Sequence, residues 1–239
     1  MGSRPTIYKV AERFLSVKGE GVHTGVPMAF LRLAQCPVGG PNGICTSWNG
    51  KEFKCDTGAS YKSVRSNTEW HSYNEVNETL TADKIWKWVV SSGHKHLVVT
   101  GGEPLIYDLG PLLEFFPGLE YRIHIETSGT EDQSEVIAPY RHRFWVCVSP
   151  KADASRRMLS IADEIKFLVD QDTREQDLLD YIVNNDIKCA NLVLQPTEEL
   201  YSKGAVAWFQ ATKNCYEIAM KHPLLFRVGI QAHKFLGVR

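Results

Sequence analysis

No stretch of this 239-residue chain comes near the eighteen or so consecutive apolar residues needed to span a bilayer. Its opening, MGSRPTIYKV, lacks the apolar core of a secretory signal. Gly2 and Thr6 match the loose N-myristoylation pattern, but no second membrane signal accompanies them. An excess of either charge is missing too: 27 Lys and Arg stand against 28 Asp and Glu, a net charge of −1. Without a basic stripe interleaved with aromatics, nucleic acid is not expected as the main partner. Repeats, low-complexity tracts and linkers are also absent. A single domain over 1–239 is therefore expected, in a reducing, cytoplasmic setting.

Cysteine is scarce and unevenly placed. Three of the six, Cys36, Cys45 and Cys55, fall in one segment of Gly, Pro, Asn and short polar residues. Such a loop cannot pack as a core, whereas buried structural cysteines usually sit on apolar strands or helices. In a reducing compartment clustered cysteines are more often metal-binding than disulfide-bonded. Three thiolates after a strand suit a metal ion or an iron–sulfur cluster, and with four irons one iron stays open. A structural zinc site completed by His23 or His71 is the competing reading. Cys147, Cys189 and Cys215 occupy apolar strand or helix positions and are assigned to the core.

Strand-like and helix-like stretches alternate along the chain. Residues 7–17 alternate poorly and end in Lys18-Gly19-Glu20-Gly21, where paired glycines let backbone approach a ligand or simply turn. Residues 28–33 read as a strand running toward Cys36, and Arg32 within it needs an anionic or polar partner if it points inward. Residues 58–78 form a polar excursion. Thr81 then starts a capped amphipathic helix through Ile85, Trp86, Val89 and Val90. Strands are expected over 96–100, 121–125, 144–148, 164–169, 190–194 and 225–230, and helices over 109–116, 131–140, 173–184 and 206–221. This α/β alternation argues for a parallel sheet wound by right-handed crossovers.

Unusual polar clusters follow the strands: Cys36, then residues 100–103, 126–128, 149–151, 195–198 and 231–233. Singly, each has a bland explanation; Gly101-Gly102 suits a tight turn, Ser149-Pro150 a helix start, and Glu126 or His233 a satisfied buried polar group. Together they are odd for stability alone. In a βα barrel the strand C-termini share one face, and that face carries the active site.

The motifs FLSVKGEG with GVP (14–27), FLRLAQCPVG (30–39), CDT (55–57), TGGEP (100–104), IETSGT (125–130), CVSPKAD (147–153), LQP (194–196) and the terminal QAHKFLGVR occur in that order. On these the chain resembles the radical S-adenosylmethionine (SAM) superfamily, and within it the 7-carboxy-7-deazaguanine synthase family, over nearly its whole length. The resemblance implies an open, partial parallel β/α barrel with about six core strands and reduced helices. It implies a 4Fe–4S cluster on Cys36, Cys45 and Cys55, and Mg²⁺ at Thr57. SAM would be held by Gly101, Gly102, Glu103, Glu126, Ser149, Pro150, Lys151, Gln195, Pro196, Thr197 and Glu198, with Glu103 among the groups that receive its amino group. Substrate would lie near Val17, Lys18, Gly19, Glu20, Arg32, Thr100, His233 and the terminal carboxylate of Arg239.

The implied reaction is the radical-mediated ring contraction of 6-carboxy-5,6,7,8-tetrahydropterin to 7-carboxy-7-deazaguanine with loss of ammonia. It serves 7-deazaguanine biosynthesis of the queuosine or DNA-modification type. A flavodoxin-like electron donor and a homodimer belong to the same implication; a membrane and nucleic acid do not. Two features depart from the pattern. The usual CxxxCxxC is expanded, with eight residues between Cys36 and Cys45 and nine between Cys45 and Cys55. Lys18 stands where the family typically has Gln before GEG, and a cation there could alter substrate affinity. A glycyl-radical activating enzyme would share the cluster and GGEP but would not need GEG, CDT or the HKFL tail.

Overall fold

The computed structural model describes residues 6–39, 43–55, 61–62, 69–70, 75–197 and 205–238. Its frame is one sheet. β2 (Pro27–Leu33), β8 (His96–Gly101), β9 (Arg122–Thr127), β10 (Phe144–Val148), β11 (Glu164–Val169), β12 (Leu192–Pro196) and β13 (Phe226–Val228) lie side by side and parallel. β1 (Tyr8–Val17) pairs antiparallel with β2, and β7 (Glu78–Leu80) with β1. Among the described residues neither β13 nor β7 pairs onward, so the sheet is an open, partial barrel. The parallel set has seven strands, the short β13 lying within the strand expected over 225–230.

The two-residue period of the strands gives this sheet two unlike faces. Leu31, Leu97, Ile123, Val146, Ile165 and Leu192 form one apolar, buried face. Ile85, Trp86 and Val89 of the Ala82–Ser91 helix pack into the same core, as do Leu178 and Ile218 of the helices Glu175–Asn184 and Ala205–Lys221. Each such side chain contributes roughly 1.5–3 kcal/mol on burial, so packing rather than helix propensity holds this layer. The opposite face carries Arg32, Thr100, His124, Glu126, Glu164 and Lys166. A Lys166 ammonium on β11 reaches both Glu126 on β9 and Glu20 in the β1–β2 turn, so the sheet curls and its polar face is the concave one.

β1 departs most from the sequence expectation. Its register slips between Val10 and Glu12, and at this bulge Val10, Ala11 and Glu12 are all buried, which destroys the alternation. The helix expected over 131–140 shrinks to Ser134–Ile137 and passes into a 3₁₀ turn, Ala138–Arg143, where Pro139 ends α-type bonding and Tyr140 is non-helical. Thr81 precedes its helix in extended conformation, but its hydroxyl donates to the Asp83 carboxylate instead of capping backbone. Ser149-Pro150 starts no helix; Ser155 does, accepting from the Arg157 N–H at 3.2 Å. Within the polar excursion β5 (Tyr61–Lys62) and β6 (Glu69–Trp70) form a short antiparallel pair. A further hairpin, β3 (Ile44–Thr46) with β4 (Glu52–Lys54), lies inside the cysteine segment. Among the described residues no helix is long and apolar enough to cross a membrane.

The ends of β2 and β8 are joined at the double glycine. Gly102 N–H donates to the Leu33 carbonyl at 3.2 Å and Glu103 N–H to that of Gln35 at 3.1 Å. A Cβ on Gly101 would lie 2.3 Å from the Leu33 oxygen, and one on Gly102 would lie 2.2 Å from the Gln35 oxygen and 2.6 Å from Cys36 Cβ. Backbone on both sides leaves no flexible atom to yield. Gly101→Ala should lower the melting temperature by at least roughly 2 °C, since overpacking costs about 1–3 kcal/mol and each kcal/mol is worth about 2–4 °C in a chain of this size. A thermal scan with an unchanged midpoint would show that the strand pair yields to the methyl group.

Candidate active site

Of the three loop cysteines one stands at this double glycine and the other two pair with each other. Cys36 follows β2 and sits against Gly102. Cys45 lies on β3 and Cys55 just after β4, and their sulfurs share a hydrogen bond. Burial raises the Cys36 thiol, although backbone N–H groups of Gly39 and Val38 oppose it. The bond to Cys55 and burial raise the Cys45 thiol, while the Lys151 ammonium opposes them. Among the described residues no group of three or more His, Cys, Asp or Glu side chains is arranged to close on a single metal ion. The donor set of three soft thiols fits an iron–sulfur cluster that keeps one position open.

Below this mouth, the concave face holds a charge network. Lys18, 5% exposed, pairs with Glu126 at 2.6 Å. Lys166, 6% exposed, binds the other Glu126 oxygen at 2.8 Å and Glu20 at 2.7 Å. Gln231 donates to the second Glu20 oxygen at 2.6 Å, and Lys234 donates to Gln231 at 2.8 Å. Burial alone would push the Glu126 and Glu20 carboxyls up, but Lys166 and Lys18 outweigh it, holding Glu126 at about 2 and Glu20 lower still. Burial works against the Lys166 cation, yet Cys147, Glu126, Glu20 and Glu164 around it keep its pKa well above normal. Removing one partner of such a buried pair costs about 3–5 kcal/mol, because the other charge is stranded. The Lys18 cation therefore serves Glu126 and does not stand alone before a ligand.

The residues expected around substrate fall into this basin. Gly19 packs so closely on His233 that a Cβ would meet Nδ1 at 1.9 Å, and its carbonyl accepts from Ala232 N–H at 2.8 Å. Arg32 and Thr100 are register partners on β2 and β8, and Val17 ends β1 at the same turn. Arg32 already has the anionic partner that an inward arginine needs: its Nε donates to Glu12 at 2.9 Å. Thr57, Glu198 and Arg239 lie outside the described residues.

On the SAM side, Glu103 is already well supplied with donors. Its carboxylate accepts from Leu105 N–H, Thr127 Oγ1, and both N–H and Oγ of Ser128, at 2.5 to 3.1 Å. Four donors fill the four acceptor positions of a carboxylate, so backbone carbonyls of the turn are the groups left for an ammonium. Glu103 instead ties the end of β8 to that of β9. Ser149 N–H donates to the Thr127 carbonyl, and Lys151 folds back on the Ser149 carbonyl at 2.9 Å. Pro196 closes β12, and Thr197 N–H bonds to the Val169 carbonyl. Gln195, 4% exposed, has no partner for either end of its amide among the described residues, so it is a polar group buried in wait of a ligand or water.

Sequence reading missed Lys166 and Glu164, although two charges spaced by two in the otherwise apolar strand EIKFLV signal one polar, inward face. Glu164 accepts from Val22 N–H at 3.0 Å; Gly21, at φ +74°, is needed there, because a Cβ would lie 1.9 Å from its Oε1. Burial raises the Glu164 carboxyl. Cys147, assigned to the apolar core, faces this basin beside Lys166; Cys215 is fully buried in the core and Cys189 packs at its margin. Also missed was a histidine group on β8 and β9: His96 Nδ1 lies 2.8 Å from His124 Nε2, and His23 packs edge-on against His124 and Trp145.

No protein-family model matches the chain. Curated relatives do, along nearly the full length. The 7-carboxy-7-deazaguanine synthase of Buchnera aphidicola subsp. Schizaphis graminum is 31% identical, with 97% of this chain and 99% of the relative covered. The chain belongs to the 7-carboxy-7-deazaguanine synthase family. The Escherichia coli (strain K12) synthase is 30% identical over the same shares of the two chains. The crystal structure of QueE from Escherichia coli superposes with a TM-score of 0.62 at 26% identity, covering 95% of both chains. Synthases of this family are radical SAM lyases, so the fold and the reaction class follow, and membership implies SAM and a 4Fe–4S cluster.

The buried titratable groups set the acid response. Burial first, then His23 and His96, lower the His124 pKa from 6.5 to about 3. Folded protein thus binds fewer protons than unfolded chain, and stability falls as pH drops from 6.5 toward about 3; Glu126 adds its loss between 4.5 and about 2. In the histidine window the slope approaches about 1.4 kcal/mol per pH unit. Urea unfolding at about pH 7.5 and about pH 5 should show a clear drop that shrinks in His124→Gln. An equal drop in both proteins would place the acid sensitivity elsewhere.

Proposed function

We propose that this chain is a working 7-carboxy-7-deazaguanine synthase, contracting 6-carboxy-5,6,7,8-tetrahydropterin to 7-carboxy-7-deazaguanine with loss of ammonia. One observation carries the reading: Cys36 stands against Gly102 at the C-terminal end of β2, Cys45 and Cys55 bond each other, and the concave face of the sheet holds a basin of paired lysines and carboxylates. Cys36, Cys45 and Cys55 would hold the cluster. Backbone carbonyls of 101–103, the Ser149-Pro150-Lys151 turn and the unpartnered Gln195 amide would hold SAM. When bound, cluster and SAM supply the one-electron chemistry.

The chain's own work is binding and orientation. Glu20 and Glu126, held ionised by Lys18 and Lys166, present acceptors suited to the N–H-rich, guanidine-like edge of a pterin. Arg32 is aimed by Glu12 through Nε, which leaves the planar guanidinium fork oriented for a substrate carboxylate. Gly19 brings backbone within reach of the same site, and His233 closes its rim. Thr57 as a Mg²⁺ ligand, the Arg239 carboxylate as a substrate contact, a single domain, a homodimer, a flavodoxin-like donor and a reducing cytoplasmic setting are carried from the family as parts of the proposal.

Anaerobically reconstituted protein given SAM, Mg²⁺, a reductant and the pterin should form 7-carboxy-7-deazaguanine by mass spectrometry, with SAM not consumed stoichiometrically. SAM cleavage without that product would sink the substrate assignment and keep the radical chemistry. For the ligands, Cys45→Ala should abolish iron and sulfide loading while Cys147→Ala keeps it. A Cys147 variant that fails to load iron would overturn the ligand set.

A further inference from the structure

The nine-residue spacer between Cys45 and Cys55 is folded, not slack. Between Cys45 and Cys55 the chain makes the β3–β4 hairpin, with Cys45 opposite Phe53 and the Cys55 N–H bonded to the Gly43 carbonyl at 2.7 Å. Strands of three residues cannot hold themselves together in water, so their order comes from docking. Ser47 bridges to Lys151, and Ala152 N–H donates to the Thr46 carbonyl at 3.1 Å. Lys51 pairs with Asp170 at 2.7 Å, although both are partly exposed and such a pair contributes little. The deep contact is Trp48. Only 6% exposed, it donates Nε1 to the Leu168 carbonyl at 2.9 Å and packs edge-on against Phe167 and Tyr181, each ring centre 5.5 Å away.

We propose that Trp48 is the positioning residue of the cysteine site. Its ring pins the hairpin turn between β11 and the Glu175–Asn184 helix. That pin fixes how far apart, and in which direction, Cys45 and Cys55 present their sulfurs. A nine-residue spacer with a free turn would let the two thiols wander; a pinned one replaces the rigidity that a compact spacing supplies through brevity. The consequence for cluster loading rests on the ligand reading above, whereas the effect on thiol geometry does not.

The protein contains its own control. Trp86 is equally buried, donates Nε1 to the Leu112 carbonyl at 2.7 Å, and packs edge-on against Phe116 and Tyr121, but belongs to the Ala82–Ser91 helix, away from the cysteines. Two readouts apply to folded Trp48→Ala, Trp48→Phe and Trp86→Ala proteins. The first is iron content and the electron paramagnetic resonance signal after reconstitution. The second, on cluster-free protein, is the rate at which diamide takes two electrons and two protons from Cys45 and Cys55 to form their disulfide.

Trp48→Ala should fall to roughly half the wild-type iron or less and form the disulfide roughly fivefold more slowly, because their effective concentration drops. Trp48→Phe, which keeps a ring in the slot, should recover most of both, and Trp86→Ala should lower the melting temperature without either effect. Trp48→Leu replaces Trp48→Ala if the latter does not fold. Wild-type iron and disulfide rates in Trp48→Ala, or equal losses in Trp86→Ala, would overturn the proposal. A wild type that takes up no iron, together with slowed disulfide formation in Trp48→Ala, would keep the pin and remove the cluster reading.

Discussion

Lys166 is the interaction on which the concave face depends. Its ammonium is buried and touches two carboxylates from different parts of the chain, Glu126 on β9, two strands away in the sheet, and Glu20 in the turn between β1 and β2. A buried cation needs such partners, because its desolvation costs several kcal/mol. Meeting that need draws the Lys18–Gly21 turn across the sheet, and with it Gly19, His233 and Gln231. Lys18 then completes the balance on Glu126. Two cations and two anions sit together with little net charge, so an uncharged heterocycle with a peripheral carboxylate is not repelled from the basin.

The mouth is built on another principle. There the backbone approaches itself so closely that side chains are excluded, at Gly101 and Gly102, and the thiol of Cys36 is set against that edge. Glu103 cross-links the turn to the end of β9 through three hydrogen bonds from Thr127 and Ser128, and the Ser149–Lys151 segment is bonded to the same strand end. A rigid floor of interlocked strand ends, with a docked hairpin carrying the remaining thiols, suits a site whose hard chemistry is borrowed from its cofactors and whose own task is placement.

Much of this was legible in advance because it is local. Apolar strands followed by capped or turn-like polar clusters mark out the parallel sheet and place chemistry at strand ends, and β10 and β11 lie where the pattern puts them. What escaped is what a bulge or a distant partner controls. β1 hides its strand character because one slipped residue buries Val10, Ala11 and Glu12 in a row. Glu103 looks like a ligand group until its donors on β9 are seen. Cys147 is buried as expected, but on the face that carries Lys166.

From its sequence alone, then, this protein's alternating architecture, its cluster of loop cysteines and its family likeness follow, since periodicity and motif order need no knowledge of the third dimension. Tertiary structure alone decided the partners of charge. Lys18 and Glu126 are more than a hundred residues apart, as are Glu20 and Lys166, and no periodic rule links them. Only the curl of the sheet brings those ions within 3 Å, where their pairing outweighs the cost of burial.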